Sequence, residues 1–312
     1  MNIFNPGRLK KPPKNFEFNI GYIGTTLYLL RIGDEIVNND KTVIDWGDGT
    51  QINYSNNSTV NKTYTSPYLY PVLKNISFTG RESTWRRINA ITMYGNSTFQ
   101  SNRFDSIDFD NIKEINNLYL RYTNEGEILD FSNIKKIYGT FRINYFSQLN
   151  TIIFPNKIYG FKKPLTYLDI SNCDNLLDID MSCFSMIENV LIINNNNSLT
   201  GITFPTVIDE NSDNITIFQI YSNSLITDLD LSMFTKLGGN IRLNSNNSLT
   251  GITFPDQLDE NTDNITIFNC YSNPLITYLD LSVFTKLGGN IRLNSNNSLT
   301  DITFPTLIDE NS

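Results

Sequence analysis

This 312-residue chain contains no histidine, and the candidates for chemistry that its spacing brings forward are paired carboxylates and three thiols. The commonest general base and metal ligand is therefore missing. Cys173, Cys183 and Cys270 stand far apart with no Cys-x-x-Cys spacing, which argues against a zinc site or a redox pair. Paired carboxylates, the groups that glycoside hydrolysis uses, occur at Asp209/Glu210, Asp259/Glu260 and Asp309/Glu310. They recur every 50 residues in the same polar loop, and a pair copied into every repeat points to architecture rather than catalysis. No dinucleotide fingerprint, phosphate-binding loop or nucleophile elbow is present. These residues predict a non-enzymatic protein with no catalytic residue, metal or cofactor.

The elements that carry these residues are set by repetition. SLTGITFP occurs at Ser198–Pro205 and Ser248–Pro255, and as SLTDITFP at Ser298–Pro305, a spacing of 50 residues. A period of that size marks stacked coils, none of which can bury its apolar face alone. Inside each unit, apolar residues two apart fall at Leu118/Leu120, Phe141/Ile143, Leu168/Ile170, Leu191/Ile193, Phe218/Ile220, Ile241/Leu243, Phe268/Cys270 and Ile291/Leu293, with spacings alternating between 23 and 27. Each pair has the period of a short strand with one face buried. The pattern predicts a right-winding solenoid on one parallel sheet, led by an irregular coil at Ile91/Met93.

Asparagine stands five positions after the first strand residue at Asn96, Asn196, Asn223, Asn246, Asn273 and Asn296, and leucine follows at Leu199, Leu249 and Leu299. This LxLxxNxxL pattern over residues 88–312 resembles the leucine-rich repeat family. Where each coil leaves the sheet, its buried backbone groups need partners, and a carboxamide both donates and accepts. The six asparagines are thus expected to stack as a structural ladder, less regular in the N-terminal half where Thr123, Phe146 and Cys173 take the position. Phe234 and Leu237 are expected in the core, and Gly238-Gly239 supplies the positive φ that turns the chain back. Neither coil reads as a long helix, and the return side is expected as 3₁₀ turns and extended pieces.

Residues 16–80 differ in kind. FEFNI, TLYLLRI, Thr42–Thr50 and Lys62–Phe78 are alternating strands between turn-rich segments, the pattern of a small β-sandwich. WGDGT, followed by Thr63-Tyr64 and Tyr70-Pro71-Val72, resembles a PKD-type immunoglobulin-like domain. The resemblance implies that Trp46 packs between sheets and that Asp48 and Tyr64 hold the family's positions, while Lys62 replaces its usual histidine. Asp45 and Asp48 fall short of the roughly six to eight oxygens calcium takes, so a turn-forming role is expected for them. Residues 1–15 form an arm with Arg8, Lys10, Lys11 and Lys14, readable as a tail or as a docking arm for an acidic partner. The expected fold is mainly β: an N-terminal β-sandwich at 16–80, then a leucine-rich-repeat solenoid at 88–312 with alternating 23- and 27-residue coils.

A net charge of −8 and a pI near 4.7 argue against nucleic acid as partner. No apolar run approaches the ~18 residues of a membrane span. The partner is expected on the solvent side of the sheet, at Tyr94, Tyr119, Arg121, Arg142, Tyr221, Arg242, Tyr271 and Arg292, since Tyr and Arg anchor recognition surfaces. That ligand would be a protein or a glycan; long side chains covering a sheet are the plain alternative. Forty-five asparagines suggest an AT-rich genome, and Asn246-Asn247-Ser248 is a sequon whose glycan would disrupt the ladder, which disfavours a eukaryotic secretory route. No apolar signal segment opens the chain. These features suggest a phage virion surface or tail-fibre attachment protein; a bacterial cell-surface adhesin and an intracellular interaction scaffold are the alternatives. The sequence stops inside an acidic loop, so Ile291–Leu299 is expected to meet further chain, a second subunit or a virion assembly.

Overall fold

A computed structural model describes the backbone of residues 15–23, 26–33, 42–45, 50–54, 59–63, 73–81, 88–94, 103–107, 114–123 and 127–305, except 157–163, 185–186, 206–213, 260–263 and 285. Side chains are described at 50–51, at 114–121 and through the described part of 127–305. Trp46, Asp48, Tyr64, Asn96 and the arm at 1–14 lie outside the described residues, as do Asp209, Glu210, Glu260, Asp309 and Glu310.

The N-terminal strands are β1 (Asn15–Ile23), β2 (Thr26–Gly33), β3 (Thr42–Asp45), β4 (Gln51–Tyr54), β5 (Thr59–Thr63), β6 (Leu73–Arg81), β7 (Ile88–Tyr94) and β8 (Arg103–Ile107). Then come β9 (Glu114–Thr123), β10 (Ile128–Asp130), β11 (Lys136–Phe146), β12 (Thr151–Ile153), β13 (Leu165–Ser171), β14 (Asp178–Asp180), β15 (Ile187–Asn194) and β16 (Gly201–Thr203). The last are β17 (Ile215–Tyr221), β18 (Asp228–Asp230), β19 (Leu237–Arg242), β20 (Gly251–Thr253), β21 (Asn264–Asn269), β22 (Tyr278–Asp280), β23 (Lys286–Arg292) and β24 (Asp301–Thr303). Among the described residues there is no helix, and so none long and apolar enough to cross a membrane.

The nine odd-numbered strands from β7 to β23 lie side by side, all parallel, and β2 and β5 complete an 11-stranded sheet beyond β7. The leading coil at Ile91/Met93 joins in register, Ile91 beside Leu118 and Met93 beside Leu120. A separate five-stranded sheet runs β4-β3-β6-β1-β8, antiparallel throughout. From β9 onward the chain is a parallel β-solenoid, whose period of 50 contains two coils. The apolar pairs from Leu118/Leu120 to Phe268/Cys270 are all within 1% of complete burial. Each such side chain contributes about 1.5–3 kcal/mol by leaving water. At β23, the edge strand of the sheet, Ile291 is 39% exposed, because no described coil covers it.

The return side is more extended than the sequence suggested. Its strands form four two-stranded parallel pairs, β10/β12, β14/β16, β18/β20 and β22/β24, which join each short return stretch to a copy of the ITFP segment. The phenylalanine of that segment reaches the core edge-on, Phe204 against Phe234 at 5.2 Å and Phe254 against Phe284 at 5.0 Å. Asp130, Asp180, Asp230 and Asp280 each accept a hydrogen bond from the backbone N–H two residues on, which closes the following turn.

Gly239 has φ +66°, and a Cβ there would collide with the carbonyl of Thr216 in the preceding coil. Gly139 and Gly289 hold the same register with φ +70° and +71°, and Asn189, at φ 59°, fills it in the fourth case. Asparagine is the non-glycine residue that best tolerates this region.

Candidate functional site

Two arrangements of polar side chains lie on either side of the sheet's end: a buried ladder where the coils turn away, and rows on the outward face. The ladder begins where the carboxamide oxygen of Asn196 accepts from the backbone N–H of Cys173 at 2.9 Å. Asn223 accepts likewise from Asn196 at 3.1 Å, Asn246 from Asn223 at 2.9 Å, Asn273 from Asn246 at 2.8 Å and Asn296 from Asn273 at 2.8 Å. Each amide nitrogen donates to a strand carbonyl of the preceding coil, from Ile170 for Asn196 to Cys270 for Asn296. Asn196, Asn223, Asn246 and Asn273 are completely buried. The ladder is a backbone-satisfying device and leaves those four no surface for a ligand.

The residue before each ladder position is left-handed: Tyr145, Asn172, Asn195, Ser222, Ser245, Ser272 and Ser295, with φ between 54° and 63°. This conformation, which the sequence reading missed, turns the chain off the sheet. Its signal was visible as the run of Asn and Ser in that register, residue types suited to local hydrogen bonding. Cys173 and Phe146 occupy the ladder's N-terminal positions, fully buried. The thiol of Cys173 lies 3.9 Å from the carbonyl of Ile143, a poor copy of the amide bond. Burial pushes the Cys173 thiol up to about 12, and the same cause puts Cys270 at about 12. Neither is poised as a nucleophile.

On the outward face the register aligns one unbroken row across nine strands: Thr92, Tyr119, Arg142, Asp169, Ile192, Gln219, Arg242, Asn269 and Arg292. A second row aligns Tyr94, Arg121, Asn144, Ser171, Asn194 and Tyr221. Tyr271, two residues beyond Asn269, lies on the same face by alternation. Seven of the eight residues expected at the site therefore belong to this face; Tyr94 pairs in backbone register with Arg121, and its side chain lies outside the described residues. They are not one cluster. Neighbouring strands lie about 4.8 Å apart, so Arg142 and Arg242 are separated by roughly 19 Å, and Arg242 and Arg292 by roughly 10 Å.

The two regions also differ electrically. Arg142 is engaged: its Nε and Nη2 donate to Asp169 at 3.2 and 3.0 Å, and it lies over the ring of Tyr167 at 5.0 Å. Asp169 also accepts from Asn144 at 2.9 Å and from Ser171 at 2.7 Å. Burial raises the Tyr167 hydroxyl above its ordinary value; nearby Arg142 lowers it and Asp169 raises it. Arg121 lies over Tyr145 at 5.1 Å. Sequence reading left Asp169, Tyr145 and Tyr167 out of the site, although Tyr167 sits two residues before Asp169 and shares its face.

Toward the other end of the row, Arg242 donates, among the described residues, only to Asn240 of its own strand, at 3.2 Å. Asn269, between Arg242 and Arg292 in register, is 9% exposed, and its side-chain oxygen is buried without a hydrogen-bond partner among the described residues. The small polar residues of the face are more covered than alternation alone implies: Asn144, Asn194 and Asn244 are 5–7% exposed. The surface offered to a partner is consequently made by the Tyr and Arg side chains that stand over them. Among the described residues no group of three or more Cys, Asp or Glu gathers as a metal site. No protein-family model, no curated protein and no solved structure matches the chain.

Proposed function

We propose that this chain is a non-enzymatic recognition protein whose solenoid, of leucine-rich-repeat type beside a PKD-like N-terminal module, binds a protein or glycan through the outward face of its long sheet. The observation that carries the reading is the nine-strand register, which sets Tyr119, Arg142, Arg242 and Arg292 in one surface row. Large hydrogen-bonding side chains on a rigid, pre-ordered face lose little freedom when they bind. The ladder and core repeat beneath that row from unit to unit, while the row changes, as where Gln219 in one unit becomes Asn269 in the next.

The setting we propose is a phage virion surface, where the protein serves in attachment. Support comes from the buried ladder: Asn246, inside a sequon, is completely buried and bonded at both ends of its amide. A glycan there would abolish the stack, which fits synthesis outside a eukaryotic secretory pathway.

The test is a double variant, Arg242→Ser with Arg292→Ser, screened with the unaltered protein on glycan arrays and against host-surface protein. Binding should weaken while the melting temperature stays within about 1 °C, since surface substitutions usually cost under ~0.5 kcal/mol. Equal binding by the double variant removes the sheet face from the reading. Immunolabelling of intact particles tests the setting, and an unlabelled surface rejects it.

A further inference from the structure

Both long sides of the solenoid carry charge, and the signs are opposite. The two outward rows of the sheet hold Arg121, Arg142, Arg242 and Arg292 against a single carboxylate, Asp169. Arg142 is closed on that carboxylate at 3.0 Å, whereas Arg242 and Arg292 are open, with no ion pair among the described residues. The chain as a whole carries −8, so its acidity lies elsewhere.

Part of it lies on the return side. In β14, β18 and β22 the middle residue is buried and the residues before and after it face outward. Those outward places hold Asp178 and Asp180, then Asp228 and Asp230, then Tyr278 and Asp280. Among the described residues, the even-numbered return strands from β10 to β24 contain no lysine or arginine.

The spacing matches as well as the sign. Arg242 and Arg292 are one 50-residue period apart, and so are Asp178 and Asp228. One period spans two strands of the sheet, roughly 10 Å. Two open guanidinium groups at that interval therefore meet two exposed carboxylates at the same interval. An arbitrary acidic protein has no reason to present carboxylates at this repeat. A second copy of the chain presents them by construction.

We infer that copies of this chain associate face to back, with Arg242 and Arg292 of one copy set against Asp178 and Asp228 of the next. The inference rests on the sheet-face reading and names its protein partner as a second copy. Forked guanidinium donors match a carboxylate in geometry as well as charge, so the pairs fix register between copies. A contact between two different faces is heterologous. It leaves one sheet face and one return side unused at the ends, so association continues into rows instead of closing as a pair. The Debye length is ~10 Å at 0.1 M salt and ~3 Å at 1 M. Near 0.1 M the long-range repulsion between two molecules of charge −8 is damped, while opposed side chains in contact still attract.

The experiment is sedimentation velocity on the full chain, at about 0.5 mM protein in ~0.1 M and then ~1 M salt, with two charge-reversed variants. Arg242→Asp with Arg292→Asp makes the open end of the sheet face acidic. Asp178→Arg with Asp228→Arg makes the return side basic, and neither aspartate closes a turn, unlike Asp180 and Asp230. The unaltered chain should form species larger than a monomer that dissociate in high salt. Each variant alone should associate about tenfold or more weakly. An equimolar mixture of the two should regain association, because each then finds the opposite sign on both sides of the other. The inference is overturned if the unaltered chain stays monomeric, if its association survives high salt, if either variant alone associates as the unaltered chain does, or if the mixture does not associate. Association through the β23 edge is insensitive to both variants and overturns it too. A monomer that binds a foreign protein or glycan through Arg242 and Arg292 overturns the second-copy partner and leaves the sheet-face reading standing.

Discussion

The backbone N–H of Asn246 donates to the side-chain oxygen of Asn273 at 2.8 Å, and the Asn246 amide nitrogen donates to the Ile220 carbonyl, also at 2.8 Å. One residue type thus joins three successive coils. Asn246→Ala would leave the Asn223 N–H and the Ile220 carbonyl unmet and open a small void. The expected loss is about 3 kcal/mol by chemical denaturation. Asn296→Ala, at the part-exposed end of the ladder, should lose about 1 kcal/mol, because water reaches its partners. Equal losses would show that the ladder does not carry the difference.

Cys173 occupies a ladder position with a side chain that copies an asparagine poorly. Its sulfur lies 3.5 Å from the Ser171 carbonyl and 3.9 Å from that of Ile143. Cys173→Asn should extend the ladder by one rung and raise stability by about 1 kcal/mol, read as a shift in denaturation midpoint at unchanged slope. A fall in stability would mean that the pocket cannot hold the amide.

The two kinds of glycine separate space from conformation. Gly239→Ala should cost about 1–3 kcal/mol, since φ is +66° and the carbonyl of Thr216 blocks the added carbon. Gly201→Ala should cost less than about 0.5 kcal/mol, because nothing lies near its absent Cβ and Asp301 fills the same register in the last unit. Thermal melts of the two variants make the comparison.

The Asp230 carboxyl is held below its usual range by the hydroxyl and then the backbone N–H of Ser232. A pKa depressed by folding gives stability that is present above the unfolded value, near ~3.9, and is lost as pH falls through the folded value. Ser232→Ala should therefore move the Asp230 titration back upward, read from its carboxyl carbon by NMR, and Asp280 with Ser282 should behave alike. An unmoved Asp230 midpoint would remove the hydroxyl from the explanation.

Asp169 is 4% exposed and accepts from Arg142, Asn144 and Ser171. Asp169→Ala strands these donors and should cost about 3 kcal/mol in a denaturant melt. Arg242→Ala, with no ion pair among the described residues, should cost less than about 0.5 kcal/mol. Similar costs would erase the distinction between the engaged and the open arginine.

Much of the solenoid was legible because its signals are local and periodic. The apolar pairs 23 and 27 residues apart fixed which residues face inward, and alternation then assigned Tyr119, Arg142, Arg242 and Arg292 to the other face. The ladder was legible for a related reason: a buried turn needs a two-way hydrogen-bonding side chain, and asparagine recurs at that place. Hidden from the sequence were relations between coils. That the Asp169 carboxylate would close on Arg142, while the Asn269 oxygen lies buried and unmet beside Arg242, depends on register between strands 27 residues apart. Likewise β2 and β5 were read as part of a separate module, yet their pairing carries the long sheet onward past β7. Periodicity says which way a side chain points; only the stacked strands say which side chains it meets, because hydrogen-bond partners are set by register rather than by order along the chain.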